Sequence, residues 1–195
     1  MSQLNLIGAA GEYYVCAELC RQGMLAVLTP KNNPLFDVVA TALDGSASVT
    51  IQVKTRSIHN KLGWKLGADI ANATKSKGQF IVLVNLHETH LPDFYVYTCE
   101  GLAARVTAIY EKYIATPKRD GTPRKAVGFR WFDEISFAPD DHARKNDWSA
   151  IGRALNAGQL KRYPDKETTK QSPKLTPPYS TPTSPPPSSP PQTPP

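Results

Sequence analysis

Four side chains in the first third of the chain have the types and spacing to bind a divalent metal and activate water: Glu12, Asp37, Gln52 and Lys54. Residues 48–56 alternate apolar and polar types as a β-strand does, which puts Gln52 and Lys54 on one face. Asp37 begins a preceding apolar segment that residues 44–47 connect to this strand as a hairpin. A four-residue turn would pair Asp37 with Lys54, and a two-residue turn would pair it with Gln52. Either even-length turn places the three side chains on one face.

These residue types suit the hydrolysis of a phosphodiester. The oxygen atoms of Asp37 and Gln52 are hard ligands of the kind that Mg²⁺ prefers. Lys54 could orient a metal-bound water or lower its pKa, and it could stabilise charge on phosphate oxygens. Glu12 lies in a predicted helix, where it could bind the metal through a water or anchor Lys54. The alternatives are an ordinary solvated strand face and a Glu12 at the helix edge that reaches water.

The chain resembles the PD-(D/E)XK nuclease superfamily in Gly11-Glu12, Phe36-Asp37 and Gln52-Val53-Lys54. The spacing is similar to that of archaeal Holliday-junction resolvases and Mrr-like restriction nucleases. The resemblance covers residues 4–98 and implies a restriction-endonuclease-like α/β fold of core order αβββαβ, with helices flanking a mixed central sheet. It also implies that Mg²⁺ or Mn²⁺ is bound by Asp37, Gln52 and the Val53 carbonyl. Lys54 would be the catalytic lysine, and Glu12 the acid of the first helix.

Two positions depart from the superfamily pattern. Phe36 stands in place of the proline in the motif's name, which leaves the ligand set unchanged. Gln52 replaces the usual Asp or Glu, as in Mrr-like members, and the lost negative charge predicts weaker metal binding. The implied function is a metal-dependent endonuclease that hydrolyses DNA phosphodiester bonds with metal-activated water. The alternative is a catalytically inactive nucleic-acid-binding module on the same fold.

Periodicity elsewhere in the chain predicts the elements that must position these residues. Apolar residues at helical spacing predict a helix over residues 4–22. The nearly continuous apolar run over residues 79–86 is typical of a strand buried on both faces. Further strands are predicted over residues 25–28, 36–43, 48–56, 94–98 and 129–132, and further helices over residues 101–115 and 147–156.

Basic residues lie in two clusters, and the net charge of +6 favours a polyanionic partner such as DNA. The predicted phosphate contacts are Arg56, Lys61, Lys65, Lys75, Lys77, Lys118, Arg119, Arg124 and Lys125. Trp64 and His59 lie within the first cluster, where aromatic rings could stack on unpaired bases. The alternative for each cluster is a solvated surface, with Trp64 in the core.

The last part of the chain differs in composition, since twelve of the 18 prolines lie in residues 164–195. We predict a nuclease-like domain over residues 1–163 and a disordered Pro/Ser/Thr-rich tail. A third hypothesis is an interaction protein whose tail binds a proline-recognising partner. The three cysteines exclude a disulfide scaffold, and without a signal-peptide pattern or a membrane span we expect a cytoplasmic protein. The resemblance also suggests a homodimer.

Overall fold

The structure is a computed structural model that describes residues 3–30, 33–72 and 78–155. The elements in chain order are α1 (Gln3–Arg21), β1 (Leu25–Leu28), β2 (Val38–Thr41), β3 (Ser48–Arg56), β4 (Trp64–Gly67), β5 (Gln79–Asn85), β6 (Asp93–Thr98), α2 (Cys99–Ala115), β7 (Phe129–Phe132), α3 (Pro139–His142) and α4 (Ser149–Ala154). Two 3₁₀ helices complete the described elements, at Ala68–Asn72 and Glu134–Ser136.

Five strands form the central sheet, in the order β1-β2-β3-β5-β6. Strands β3 and β5 run parallel, and the other neighbouring pairs run antiparallel. The predicted α/β class with a mixed central sheet flanked by helices is confirmed. A separate two-stranded sheet pairs β4 with β7, so the predicted strand at 129–132 pairs outside the central sheet.

The hairpin of β2 and β3 adopts the tighter of the two predicted registers. Val38 pairs with Ile51, and Asp37, which directly precedes β2, donates its N–H to the Ile51 carbonyl. Gly45 in the turn has a φ of 71°, a conformation that glycine adopts without steric cost. The register therefore brings the predicted acid next to the part of β3 that carries the carboxamide.

Two hydrophobic cores lie on opposite faces of the central sheet. The first core includes Val15, Leu19, Val49, Ile51, Val53 and Ile151, from α1, β3 and α4. The second core includes Trp64, Leu66, Leu102, Val106 and Phe132, from β4, α2 and β7. Strand β5 contributes to both cores, which explains its continuous apolar run. Since odd-numbered β3 residues face the first core, Gln52 and Lys54 lie on the side of the second.

Between β3 and β5 the described chain differs from the implied order αβββαβ, which places a helix there. This crossover contains β4 and the 3₁₀ helix Ala68–Asn72, while residues 73–77 lie outside the described residues. Strand β4 forms because Trp64 and Leu66 alternate with exposed neighbours and bury their side chains in the second core. This strand was not predicted from the sequence.

The other predicted elements agree with the structure to within about two residues at their ends, and helix α3 was not predicted. Helix α2 begins at Cys99 because Thr98 caps it: the Thr98 hydroxyl accepts a hydrogen bond from the Gly101 N–H at 3.1 Å. None of the helices in residues 3–30, 33–72 and 78–155 is long and apolar enough to cross a membrane. The predicted tail over residues 164–195 lies outside the described part of the chain.

Candidate functional site

Asp37 lies where strand β2 begins and is held there by four hydrogen bonds, one of them from the Thr29 hydroxyl to the Asp37 carbonyl at 3.2 Å. Its N–H donates to the Ile51 carbonyl at 2.9 Å, and its own carbonyl accepts the Thr29 N–H at 2.9 Å. Its carboxylate oxygen Oδ2 accepts the backbone N–H of Val53 at 2.7 Å. The Asp37 carboxylate therefore accepts the hydrogen bond that a backbone carbonyl of a neighbouring strand would otherwise accept, at the point where the pairing of β2 with β3 ends.

The Val53 carbonyl is directed to the same side of β3 as Asp37. In a strand, the N–H and C=O of one residue point to the same neighbouring strand. Because the Val53 N–H meets the Asp37 carboxylate, its carbonyl oxygen also lies on that side. The β2–β3 pairing starts at Val38 and Ile51, so the Gln52–Arg56 part of β3 extends beyond β2. The backbone oxygen and the carboxylate are thus both available at one edge of β3.

An open pocket of about 280 Å³ adjoins this point on the side of the second core. Its polar lining includes Thr50, Gln52, Lys54 and Asp69. Gln52 and Lys54 are half-buried, as expected for polar groups on a partly covered sheet face. Asp37 does not line this pocket, since its carboxylate is turned toward the Val53 backbone. Gln52 and Lys54 therefore line one pocket. Asp37 lies beside them because its carboxylate is bonded to the N–H of Val53, the residue between them.

Asp69 is a pocket residue that sequence reasoning missed. It follows β4 in the 3₁₀ helix, and a side chain on Gly67 would overlap its carboxylate oxygen Oδ1. The sequence analysis treated Asp69 only as an acid within a basic cluster. The alternation of Trp64 and Leu66 is the signal that could have located β4, and with it the acid that follows.

Glu12 lies on α1, which packs on the opposite face of the sheet from Gln52 and Lys54. The neighbouring Gly11 is buried directly against Thr55, the residue after Lys54. Glu12 is half-buried, and its charge acts on Cys16: burial raises the pKa of that thiol to about 11, with smaller contributions from Cys20 and Glu12. The structure brings the helix close to the site strand, and the catalytic role of Glu12 stays a prediction.

The predicted metal ligands are one carboxylate, one carboxamide and one backbone carbonyl. Within the part of the chain that the structure describes, no three His, Cys, Asp or Glu side chains are grouped so that they could hold a metal ion. The donors of Asp37, Gln52 and Val53 are nevertheless all hard oxygens, which is the chemistry that Mg²⁺ and Mn²⁺ require. These three residues therefore fit the predicted ion by donor type.

Arg56 is engaged within the protein. Its guanidinium donates to Asn85 at 2.7 Å and to Glu134 at 2.6 Å, and it lies 4.5 Å from the centre of the Trp64 ring. Burial acts to raise the pKa of Glu134, but hydrogen bonds from Tyr95 and Arg56 outweigh it and hold that pKa below its ordinary value. Only 11% of the Arg56 side chain is exposed. Arg56 therefore links Asn85 to Glu134 inside the protein and does not face a phosphate.

The other predicted phosphate contacts differ in their exposure. The fully exposed ones are Lys61, Lys65, Lys118, Arg119 and Lys125. Arg124 is half-buried, because it donates to the Thr116 carbonyl and lies over the Tyr113 ring. Lys75 and Lys77 lie outside the described residues.

The two aromatic residues of the first cluster also differ. Trp64 is only 2% exposed and donates to the Val84 carbonyl at 3.0 Å. It is therefore a core residue, as the alternative interpretation held, and cannot stack on a base. His59 is exposed and lines a different pocket, beside α1.

Comparison with solved structures finds similar proteins at low identity. One is Archaeoglobus fulgidus Hjc, a Holliday junction resolvase from an archaeal hyperthermophile, with 15% identity and a TM-score of 0.42 over 76% of this chain and 95% of that chain. Another is the bacterial homing endonuclease I-Ssp6803I, with 14% identity and a TM-score of 0.47 over 83% of this chain and 99% of that chain. No protein-family model and no curated protein matches the sequence. Similarity at this level carries no conclusion about activity, which has to be argued from the residues of the site.

Proposed function

We propose that the chain is a metal-dependent endonuclease that hydrolyses DNA phosphodiester bonds. The observation that carries this proposal is the 2.7 Å hydrogen bond from the Val53 N–H to the Asp37 carboxylate. This bond places a carboxylate beside the Gln52-Val53-Lys54 segment, whose polar side chains line a pocket open to solvent.

The residues that would hold Mg²⁺ or Mn²⁺ are Asp37 through its carboxylate, Gln52 through its side-chain oxygen, and Val53 through its carbonyl. When bound, such an ion supplies Lewis acidity toward a phosphate oxygen and acidifies water. The Asp37 carboxylate supplies the negative charge of this set, and its bond to the Val53 N–H fixes its position before any ligand enters.

Lys54 supplies the positive charge of the pocket. A pentavalent phosphorus transition state carries more charge on its non-bridging oxygens than the substrate does, and an ammonium within a partly covered pocket stabilises this increase. Lys54 can also donate hydrogen bonds that orient the attacking water. We assign Glu12 to positioning Lys54 through its helix, because Gly11 of that helix packs directly on Thr55.

The second candidate function is a nucleic-acid-binding module that does not cleave. Two observations favour it: the neutral Gln52 stands where the superfamily usually has an acid, and the described residues contain no group of three acidic, His or Cys ligands. The exposed cations, Lys61, Lys65, Lys118, Arg119 and Lys125, would bind phosphates in either case.

Nicking of a supercoiled plasmid tests the first candidate. We expect the wild-type protein to nick the plasmid when Mg²⁺ or Mn²⁺ is titrated in, and to stop when EDTA is added. Asp37→Asn and Lys54→Met should each abolish nicking, because they remove the charge of the metal set and of the pocket. Arg153→Met removes an exposed cation from α4 and should nick as the wild type does.

The result that overturns the nuclease proposal is a folded wild-type protein that neither nicks DNA nor binds a divalent ion. Salt-sensitive DNA binding by that same protein would then support the second candidate. Nicking that persists in both Asp37→Asn and Lys54→Met would show that the activity lies elsewhere. A homodimer, a cytoplasmic location and a protein partner for residues 164–195 stay predictions.

A further inference from the structure

A second pocket lies on the outer surface formed by helix α2 and strand β7. It measures about 330 Å³, within the lower range of known ligand sites. Four aromatic residues line it, Tyr110, Tyr113, Phe129 and Trp131, and we call it the aromatic pocket. Tyr113 is 43% exposed and Trp131 is 37% exposed, although aromatic side chains of this size are usually more buried.

A cation lies on or beside each aromatic ring of this pocket. The Arg130 guanidinium lies 3.3 Å from the Tyr110 ring centre, that of Arg124 lies 4.4 Å from the Tyr113 ring centre, and the Lys65 amine lies 4.5 Å from the Phe129 ring centre. Lys65 is also the cross-strand partner of Trp131. The surface therefore alternates flat apolar rings with fixed positive charges.

The charges of the loop that joins α2 to β7, the two elements of the pocket, are predominantly positive. The loop after α2 carries Lys118, Arg119 and Lys125, which are all exposed. The acid that lines the pocket, Asp133, already accepts hydrogen bonds from the N–H and the hydroxyl of Ser136. Asp120 in the loop is likewise bonded to the N–H and hydroxyl of Thr122. Both acids keep their negative charge, but in the loop Lys118, Arg119, Arg124 and Lys125 outnumber Asp120.

Rings and cations in alternation match one chemical class of ligand, an unpaired nucleotide with its phosphates. Any base can stack on an exposed ring because every base has a π-face, and the adjoining phosphates need cations. A fully paired duplex hides those faces between its base pairs, so it could use only the cations. Tyr113 and Trp131 are the exposed rings of this pocket, and Trp131 has the larger ring system.

The aromatic pocket and the pocket of Gln52 and Lys54 adjoin through the β4–β7 sheet. Gly67 lines the latter pocket, and its cross-strand partner Phe129 lines the aromatic pocket. Paired residues of neighbouring strands lie about 5 Å apart, less than the length of one nucleotide unit. The Gly67–Phe129 pair is therefore the place where the linings of the two pockets meet.

We propose that the aromatic pocket binds an unpaired base, so that the substrate is DNA with a single-stranded segment beside the bond to be cut. The inference rests on the proposed function for the identity of the partner as DNA. The base stacks on Trp131 beside Tyr113 and its Arg124, and the flanking phosphates contact Lys118, Arg119 and Lys125.

Trp131 provides a direct probe of this site. The chain has three tryptophans, and Trp64 and Trp148 are only 2% and 3% exposed. We therefore expect a short oligothymidylate, added in EDTA so that no cleavage occurs, to quench the fluorescence of the full-length protein. A blunt duplex of the same length should quench much less. In Trp131→Phe the quenching should disappear while the affinity is retained, because phenylalanine keeps a stacking face.

Affinities by fluorescence anisotropy of labelled DNA complete the test. Trp131→Ala and Tyr113→Ala should each weaken oligothymidylate binding by about fivefold or more, the usual effect of losing one stacked base. Their affinity for the duplex should not change. Tyr13→Ala is the matched control, because Tyr13 is a 65% exposed tyrosine on α1 outside the aromatic pocket, and its removal should change neither affinity.

The proposal is overturned if Trp131→Ala and Tyr113→Ala, shown by circular dichroism to be folded, bind oligothymidylate as the wild type does. It is also overturned if they lose single-strand and duplex affinity equally. These readouts separate the two proposals. If the wild type binds single strands through Trp131 but never nicks DNA, this inference is supported and nuclease activity is refuted. If the wild type nicks DNA and Trp131→Ala changes no affinity, nuclease activity is supported and this inference is refuted.

Discussion

The Asp37 carboxylate accepts the backbone N–H of Val53 at 2.7 Å, at the point where strands β2 and β3 separate. The Asp37 side chain thereby makes the last contact between β2 and β3 and places a negative charge beside β3, the strand that carries Gln52 and Lys54. The bond is a structural contact and, under the proposed function, also the device that orients a metal ligand. Stability and activity can therefore be separated by substitutions at this single position.

Asp37→Ala should destabilise the protein by about 1–3 kcal/mol, because it leaves the half-buried Val53 N–H without its acceptor. Asp37→Asn keeps an acceptor oxygen and should lose less stability, although both variants should lose metal-dependent nicking. Urea unfolding followed by circular dichroism measures the difference. Equal stability of Asp37→Ala and the wild type would contradict the role we give to this hydrogen bond.

Arg56→Ala should act on stability rather than on DNA affinity. It removes the donor to Asn85 and Glu134 and the cation over Trp64, at an expected cost of about 2 kcal/mol. Lys118→Ala, at an exposed cation, should show the opposite pattern: unchanged stability and weaker, less salt-dependent DNA binding. Thermal unfolding and DNA titrations at two salt concentrations distinguish the two patterns. If Arg56→Ala is as stable as the wild type but binds DNA more weakly, the structural role of Arg56 is refuted.

Gly11→Ala should destabilise the protein by about 1–3 kcal/mol, because the new Cβ would overlap the Thr55 hydroxyl and push α1 away from β3. Gly8→Ala is the matched control on the same helix. A Cβ at Gly8 meets no atom within 4 Å, so this substitution should stabilise the protein by about 0.5–1 kcal/mol. Unfolding curves that rank the two variants the other way would contradict the close packing of α1 on the site strand.

Asp141 should contribute to a loss of stability in acid. Burial acts to raise its pKa, but hydrogen bonds from Arg105, the Ala138 N–H and Tyr97 outweigh burial and lower it. Because the folded-state pKa lies below the unfolded-state value of about 3.9, the contribution is complete above about pH 4. It is lost as the pH falls through the lower, folded-state pKa.

Asp141→Asn tests this contribution. It should cost about 2–3 kcal/mol at neutral pH, because it removes a charge that is fully buried and bonded to Arg105. It should also flatten the fall of the unfolding free energy below about pH 4. Glu134 and Asp93 have lowered pKa values too, so part of the fall should persist. If the unfolding free energy of Asp141→Asn falls below pH 4 as steeply as that of the wild type, Asp141 does not contribute to the loss of stability in acid.

Local pattern was sufficient to predict most elements of the fold. Helical spacing located α1, the continuous apolar run located β5, and alternation located β3. The even-length turn predicted one shared face for Asp37, Gln52 and Lys54, because strand periodicity of two follows from backbone geometry alone. In the structure Gln52 and Lys54 line one pocket, and the Asp37 carboxylate is bonded to the Val53 N–H between them. The choice between the two registers needed the structure, which shows Val38 opposite Ile51.

Tertiary packing decided the features that depend on distant segments. Arg56 follows Lys54 on the same strand face, but it is buried because Glu134 and Asn85, far along the chain, supply its partners. Trp64 became a core residue because β4 pairs with β7 across more than sixty positions. Asp69 and the aromatic pocket escaped detection for the same reason, since each arises where separate segments meet.

The sequence by itself determined which residues could do the chemistry and which strand carries them, because residue type and strand alternation are local properties. Only the tertiary structure decided which cations face solvent, which acids share the pocket and which aromatic rings stay accessible. Whether a side chain is buried, and what it bonds to, depends on segments that are distant in the sequence. The periodicity of one segment carries no information about the residues that a distant segment packs against it.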